Sequence, residues 1–194
     1  GYEYDDLLWT VLTGTDRSVH QGIMNDLKLV PGVLDVQVSH TLPLDSSSGN
    51  NVYLLDNGQE NLFNIADQYG GSAGLFEMLE IPFIEGRYPQ SPTEIAVSES
   101  FVEKMMEFRD WSDGAVGKQV YITEHDDQLG AVTISGVYKD YRINTLTNQD
   151  TRASIKFYGE VGKDHMPFMA IKVSEVTTEM MAKVEEVIQS RIEN

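Results

Sequence analysis

Four histidines are the residues best suited to metal or proton chemistry, and their spacing works against both. His20, His40, His125 and His165 include no pair at i, i+4, the separation that puts two imidazoles on one helix face within reach of one ion. His40 falls near an expected strand end and His125 in an expected hairpin, so both read as surface or turn histidines. The densest polar run is Glu124-His125-Asp126-Asp127. Calcium loops space their oxygen ligands and place a glycine at the sharp turn; this run does neither and reads as a solvated hairpin tip. Cysteine is absent, which removes thiol nucleophiles, disulfides and thiolate zinc sites. Asp5 and Asp6 are neighbours and on a strand would face opposite ways, so they do not make an acid–base dyad. Ser46-Ser47-Ser48 lacks the glycines of a nucleophile elbow. Tyr69-Gly70-Gly71-Ser72-Ala73-Gly74 is glycine-rich but lacks the Lys-Ser/Thr of a phosphate loop, and reads as a mobile loop. The expectation is a chain with no catalytic residue, no metal ligand and no cofactor.

Composition narrows the partners. Lys and Arg total 14 against 31 Asp and Glu, a net charge of −17. Such a surface repels nucleic acid, which needs a basic footprint to displace counterions, and disfavours adsorption to anionic lipid. Trp9 and Trp111 are far apart and make no stacking platform for single strands. Hydrophobic residues make up 41% of 194, enough for one large or two small domains with a self-sufficient core. No apolar run approaches the roughly 18–20 residues that span a bilayer, so any anchor is expected outside this stretch.

The elements that would position these residues form an α+β pattern. Residues 7–13 read as a strand. Val19, Ile23, Met24, Leu27 and Val30 make a helical stripe, stopped by Pro31-Gly32. Leu34, Val36 and Val38 then alternate with polar residues as a half-buried strand. Residues 43–51 are turn chemistry and mark a break. Beyond it, Val52–Leu55 and Gln59–Ile65 read as strands around Asn57-Gly58. Leu75, Phe76, Met78 and Leu79 form an apolar turn, readable as core or as an exposed partner-contact patch. Ile95–Val97 is a buried strand running into a helix capped by Ser98, with Glu99 in its first turn. Phe101, Val102, Met105 and Met106 give that helix its inner face. Val120–Ile122 and Ala131–Tyr141 read as paired strands. After a second break at 159–167, Phe168–Val173 is a strand. A closing helix follows, capped by Thr177 or Thr178, with Met180, Met181, Val184, Val187, Ile188 and Ile192 inward.

Several stretches together resemble the periplasmic core domain of MacB-like permeases, in the FtsX-related superfamily of ABC transporters. Leu27 to Val36 carries a helix, then Pro31-Gly32-Val33, then a strand. Leu75 to Arg87 is similar to the family's phenylalanine, leucine-glycine-isoleucine and Gly-Arg run, with Gly86-Arg87 at its end. Ile95 to Phe101 resembles its Val-Asn-Glu helix start, with Ser98 where Asn is usual and Glu99 retained. Val116 to Val120 resembles its Ile-Gly-Lys segment through Gly117, and Ile134 to Tyr141 its Val-Gly-Val-x-x-Asp-Phe segment through Gly136 and Asp140. Glu80 stands where Gly is common, which implies a different local turn. These residues read structurally: Gly86, Gly117 and Gly136 for turns or close backbone approach, Asp140 for bonding backbone N–H groups after its strand.

The resemblance implies a porter-like lobe of strand–helix–strand units, residues 1–43 and 163–194, with an inserted β-rich Sabre-like lobe, residues 44–162. It implies a location on the periplasmic side of the bacterial inner membrane, in a membrane-anchored protein. A cytoplasmic ABC ATPase would act through the membrane helices, and a second permease copy and an envelope protein or cargo are the implied contacts. The expected role is transmission of ATP-driven movement without a reaction. The alternative from the residues is an envelope ligand-binding or sensor module with a pocket between the lobes. A hydrolase would need a carboxylate pair with strongly perturbed pKa values in one cleft.

Overall fold

A computed structural model of the chain describes residues 5–12, 16–40, 48–53, 61–123, 129–140, 154–158 and 167–192. The first assembly is a three-stranded antiparallel sheet in the order β1 (Leu7–Val11), β10 (Phe168–Val173), β2 (Val33–Ser39). Two helices, α1 (Arg17–Leu27) and α4 (Thr178–Ile192), pack on one of its faces. Residue alternation explains the layering. Met169, Ile171 and Val173 of β10 join Val36, Val38, Ile23, Leu27, Met180, Val184 and Ile188 under the helices, whereas Ala170 faces the other way. Asp16 caps α1 by accepting from the Ser18 and Val19 N–H groups, and Thr177 Oγ1 accepts from Met180 N at the start of α4. Asp26 and Arg191 tie the two helices through bonds of 2.6 and 3.0 Å.

The second assembly is a ring of strands: β3 (Ser48–Tyr53), β4 (Asn61–Gly71), β6 (Glu94–Ser98), β7 (Gln119–Thr123), β8 (Leu129–Tyr138) and β9 (Ser154–Tyr158). Pairing runs β4–β3–β7–β8–β6–β9 and returns to β4. The sheet thus closes on itself as a six-stranded barrel, with parallel joints at β6–β8 and β4–β9. Closure removes the exposed sheet edges. β5 (Phe83–Gly86) pairs with the far end of β8. Helix α3 (Glu99–Met106) closes a core of Ile95, Val97, Phe101, Met105, Trp111, Val120, Val132, Ile134 and Val137.

Several expectations change. α1 stops at Leu27 with Lys28 as its C-cap, so Val30, Pro31 and Gly32 lie in the following turn. Leu34 is 61% exposed, because the β2–β10 register shifts beside it and leaves it as the extra residue of a bulge. Ser48–Asn51, expected as turn, belongs to β3, and Tyr69–Gly71, expected as a mobile loop, is the end of β4. In both places pairing with neighbouring strands outweighs local turn propensity. Met106, Met181 and Ile192 are about half exposed rather than inward. The tip Asn57-Gly58, the cluster at 124–127, His165 and most of both expected breaks lie outside the described residues.

Candidate functional site at the junction of the two assemblies

The sheet and the barrel meet through a third apolar cluster, and the short helix α2 (Leu75–Met78) sits in it. Leu75, Phe76, Met78 and Leu79 are each 3–6% exposed. The four residues read as a partner-contact patch are therefore buried within the chain, and the core reading of them describes their place. They pack with Leu7 and Ala170 from the sheet and Ala96 and Tyr138 from the barrel. Phe76 is the hub: its ring centroid lies 5.1 Å from those of Tyr88 and Tyr138 and 5.5 Å from that of Phe83. The edge-on approach to Tyr138, at 71°, is a favoured aromatic geometry. Alanine at 96 and 170 leaves room for these rings.

Backbone bonds continue the junction. Ser39 pairs with Gly71, His40 N–H donates to the Gly70 carbonyl and Ser72 N–H to the Val38 carbonyl. Ser72 Oγ accepts from Val38 N at 2.9 Å and donates to Gln37 Oε1 at 2.6 Å, and Gln37 Nε2 donates to Asp35 Oδ2. Tyr88 O–H donates to the Gly71 carbonyl at 2.7 Å. This polar chain stitches β2 to the end of β4.

The far side of α2 closes in a Schellman motif. Ile81 N–H reaches the Phe76 carbonyl and Glu80 N–H the Glu77 carbonyl, with φ of Glu80 at +55°. At Glu80 the backbone takes the left-handed conformation that glycine adopts freely, and a non-glycine residue holds it. Its carboxylate is met by Lys172, whose Nζ lies 3.2 Å from Glu80 Oε1, 3.6 Å from Asp6 Oδ2 and 3.5 Å from the Met78 carbonyl oxygen. Hydrogen bonding to Glu80 and the charges of Asp6 and Glu80 hold the Lys172 ammonium above its usual pKa.

Most of the other motif residues meet structural neighbours. A β-carbon on Gly136 would stand 2.3 Å from the Arg87 carbonyl oxygen, and one on Gly86 2.2 Å from that of Ser135, so β5 and β8 touch there backbone to backbone. Gly32, with φ +95°, lies against the Met180 methyl, and Gly117, with φ +85°, faces open space. Arg87 grips Glu94 with bonds of 2.9 and 2.7 Å, and Gln90 N–H donates to the same carboxylate. Those bonds pull the Glu94 pKa down to about 2. Asp140 bonds the Ser100 backbone N–H and hydroxyl in the first turn of α3, beside exposed Glu99, while Ser98 Oγ accepts from Phe101 N. Pro31 is exposed in the turn after α1. His20 is buried and its Nε2–H donates to the Leu12 carbonyl at 3.1 Å.

Among the described residues no group of three or more His, Asp or Glu is placed to hold a metal. Asp140 thus caps the first turn of α3 by accepting from Ser100. The arrangement fixes one assembly against the other. Among the described residues no helix is long and apolar enough to cross a membrane.

No protein-family model matches the chain, and no curated protein matches its sequence. Solved structures do match in shape, among them the following two. One is the periplasmic region of MacB from Actinobacillus actinomycetemcomitans, with a TM-score of 0.61 and 16% identity, covering 97% of this chain and 85% of that one. The other is a domain described as that of a permease protein from Porphyromonas gingivalis, also with a TM-score of 0.61 and 16% identity, covering 98% and 86%. The resemblance read from the motifs is thus matched by the three-dimensional structure, and the fold of this chain is that of MacB-like periplasmic domains.

Proposed function

We propose that this chain is the extracytoplasmic domain of a bacterial ABC-transporter permease, and that it passes ATP-driven movement outward without a reaction of its own. The likeness to the MacB periplasmic region along 97% of the chain carries this reading. In it, residues 1–43 and 163–194 are a porter-like lobe and residues 44–162 an inserted Sabre-like lobe. Membrane helices of the full-length protein would connect the domain to a cytoplasmic ATPase. A second permease copy and an envelope protein or cargo are its expected contacts, on surfaces other than the buried Leu75–Leu79 cluster. The buried junction supports the reading physically: two bodies that share a core and a continuous backbone ladder move together when one is pulled.

The absence of cysteine from this segment makes the location testable by labelling. A single cysteine placed at exposed Gln189 in the full-length protein is expected to react with a membrane-impermeant maleimide in spheroplasts. Reaction only after the cells are lysed would refute a periplasmic location.

A further inference from the structure

Lys172 is placed to do more than pair a charge. It lies on β10, is 20% exposed, and its single ammonium meets oxygens from two other segments. Asp6 belongs to the run that leads into β1, and its carbonyl also accepts from Val173 N at 2.9 Å. Met78 and Glu80 belong to the C-terminal end of α2, where the Met78 carbonyl is one of the acceptors left open by the helix and a cation is favoured by the helix dipole. The turn it braces is the one described position where a residue other than glycine has positive φ, a conformation that a β-carbon disfavours. A strained turn, a wedge helix in the core that joins the two assemblies among the described residues, and the start of β1 therefore share one side chain.

We propose that Lys172 is a latch coupling the segment that leads into β1 to helix α2, so that displacing Asp6 loosens the left-handed turn at Glu80 while α2 stays seated in the shared core. This rests on the permease reading only for the source of the displacement; the coupling itself belongs to the isolated chain. Withdrawing Asp6 leaves Lys172 with fewer anchors, the Glu80 turn loses its brace, and the Glu80 and Ile81 amides open more often. Local opening of this kind is read by hydrogen exchange.

The test is amide exchange on the 194-residue chain. Asp6→Asn is expected to speed exchange at Glu80 and Ile81 by roughly threefold, the scale of a partly exposed ion pair, with the α3 amides unchanged. The effect should vanish on a Lys172→Met background and survive on Lys172→Arg. If Lys172→Met fails to fold, Glu80→Gln provides the same cycle at an exposed position. Unchanged Glu80 and Ile81 amides in Asp6→Asn, or an effect that persists undiminished without Lys172, overturns the latch. Either result leaves the labelling test of location untouched, so the two ideas fail separately.

Discussion

A methyl group on Gly136 would stand 2.3 Å from the Arg87 carbonyl oxygen and 2.8 Å from its nitrogen. Both are backbone atoms and cannot swing aside. Gly136→Ala is therefore expected to destabilise the chain by about 3 kcal/mol, the upper end of overpacking. Gly117→Ala meets no neighbour and suffers only its positive φ, about 1 kcal/mol. Denaturant midpoints of the two variants check the difference, and equal losses would contradict it. Glu94 supplies a pH dependence. Its carboxyl titrates at about 2 in the folded chain against an ordinary 4.5, so its contribution is complete above 4.5 and fades as pH falls towards 2. Arg87 is in contact with solvent, which keeps the effect to about 1 kcal/mol. Glu94→Gln should flatten that part of the acid-stability curve, and an unchanged slope would show that the pair contributes nothing.

Elements with local signals were legible in the sequence. Phe168–Val173 alternates into a strand with the bounds expected, and the caps at Ser98 and Thr177 are found where their side chains predict. β9 was missed although Ile155 and Phe157 alternate with Lys156 and Tyr158, because its partners β4 and β6 are distant in sequence. β5 was missed because four residues carry too little periodicity. The glycine run misleads for a related reason: a β-carbon on Gly71 would stand 2.5 Å from the Leu75 side chain and 3.2 Å from the Val38 carbonyl of β2, a need created by tertiary packing. At this scale α2 is the test. Phe76→Ala should cost about 3–5 kcal/mol and should uncouple the assemblies. Trp9 packs against the junction cluster and Trp111 lies in the barrel core, so single-tryptophan variants report each separately. Coincident unfolding in the parent and separated transitions in Phe76→Ala are expected; coincidence in both would contradict the junction's role.

For the whole molecule, periodicity gave only an α+β pattern with two breaks. The closed ring of six strands was not legible, because closure depends on the β4–β9 pairing between distant segments. The motif resemblance reached further, since glycines at backbone contacts and caps at helix starts keep a spacing that tracks the fold even where the identity to solved neighbours is 16%. The proposed function requires this domain to move as one body when a transporter turns over ATP. The direct measurement uses the full-length protein in a bilayer with its ATPase, with probes at Glu103 on α3, which packs on the barrel core, and at Gln189 on α4. Distances are taken between the two probes and from Gln189 to the lipid surface, with and without ATP. The first distance is expected to stay constant while the second shifts with nucleotide. A Gln189-to-lipid distance that stays fixed through the ATP cycle would contradict the proposed function.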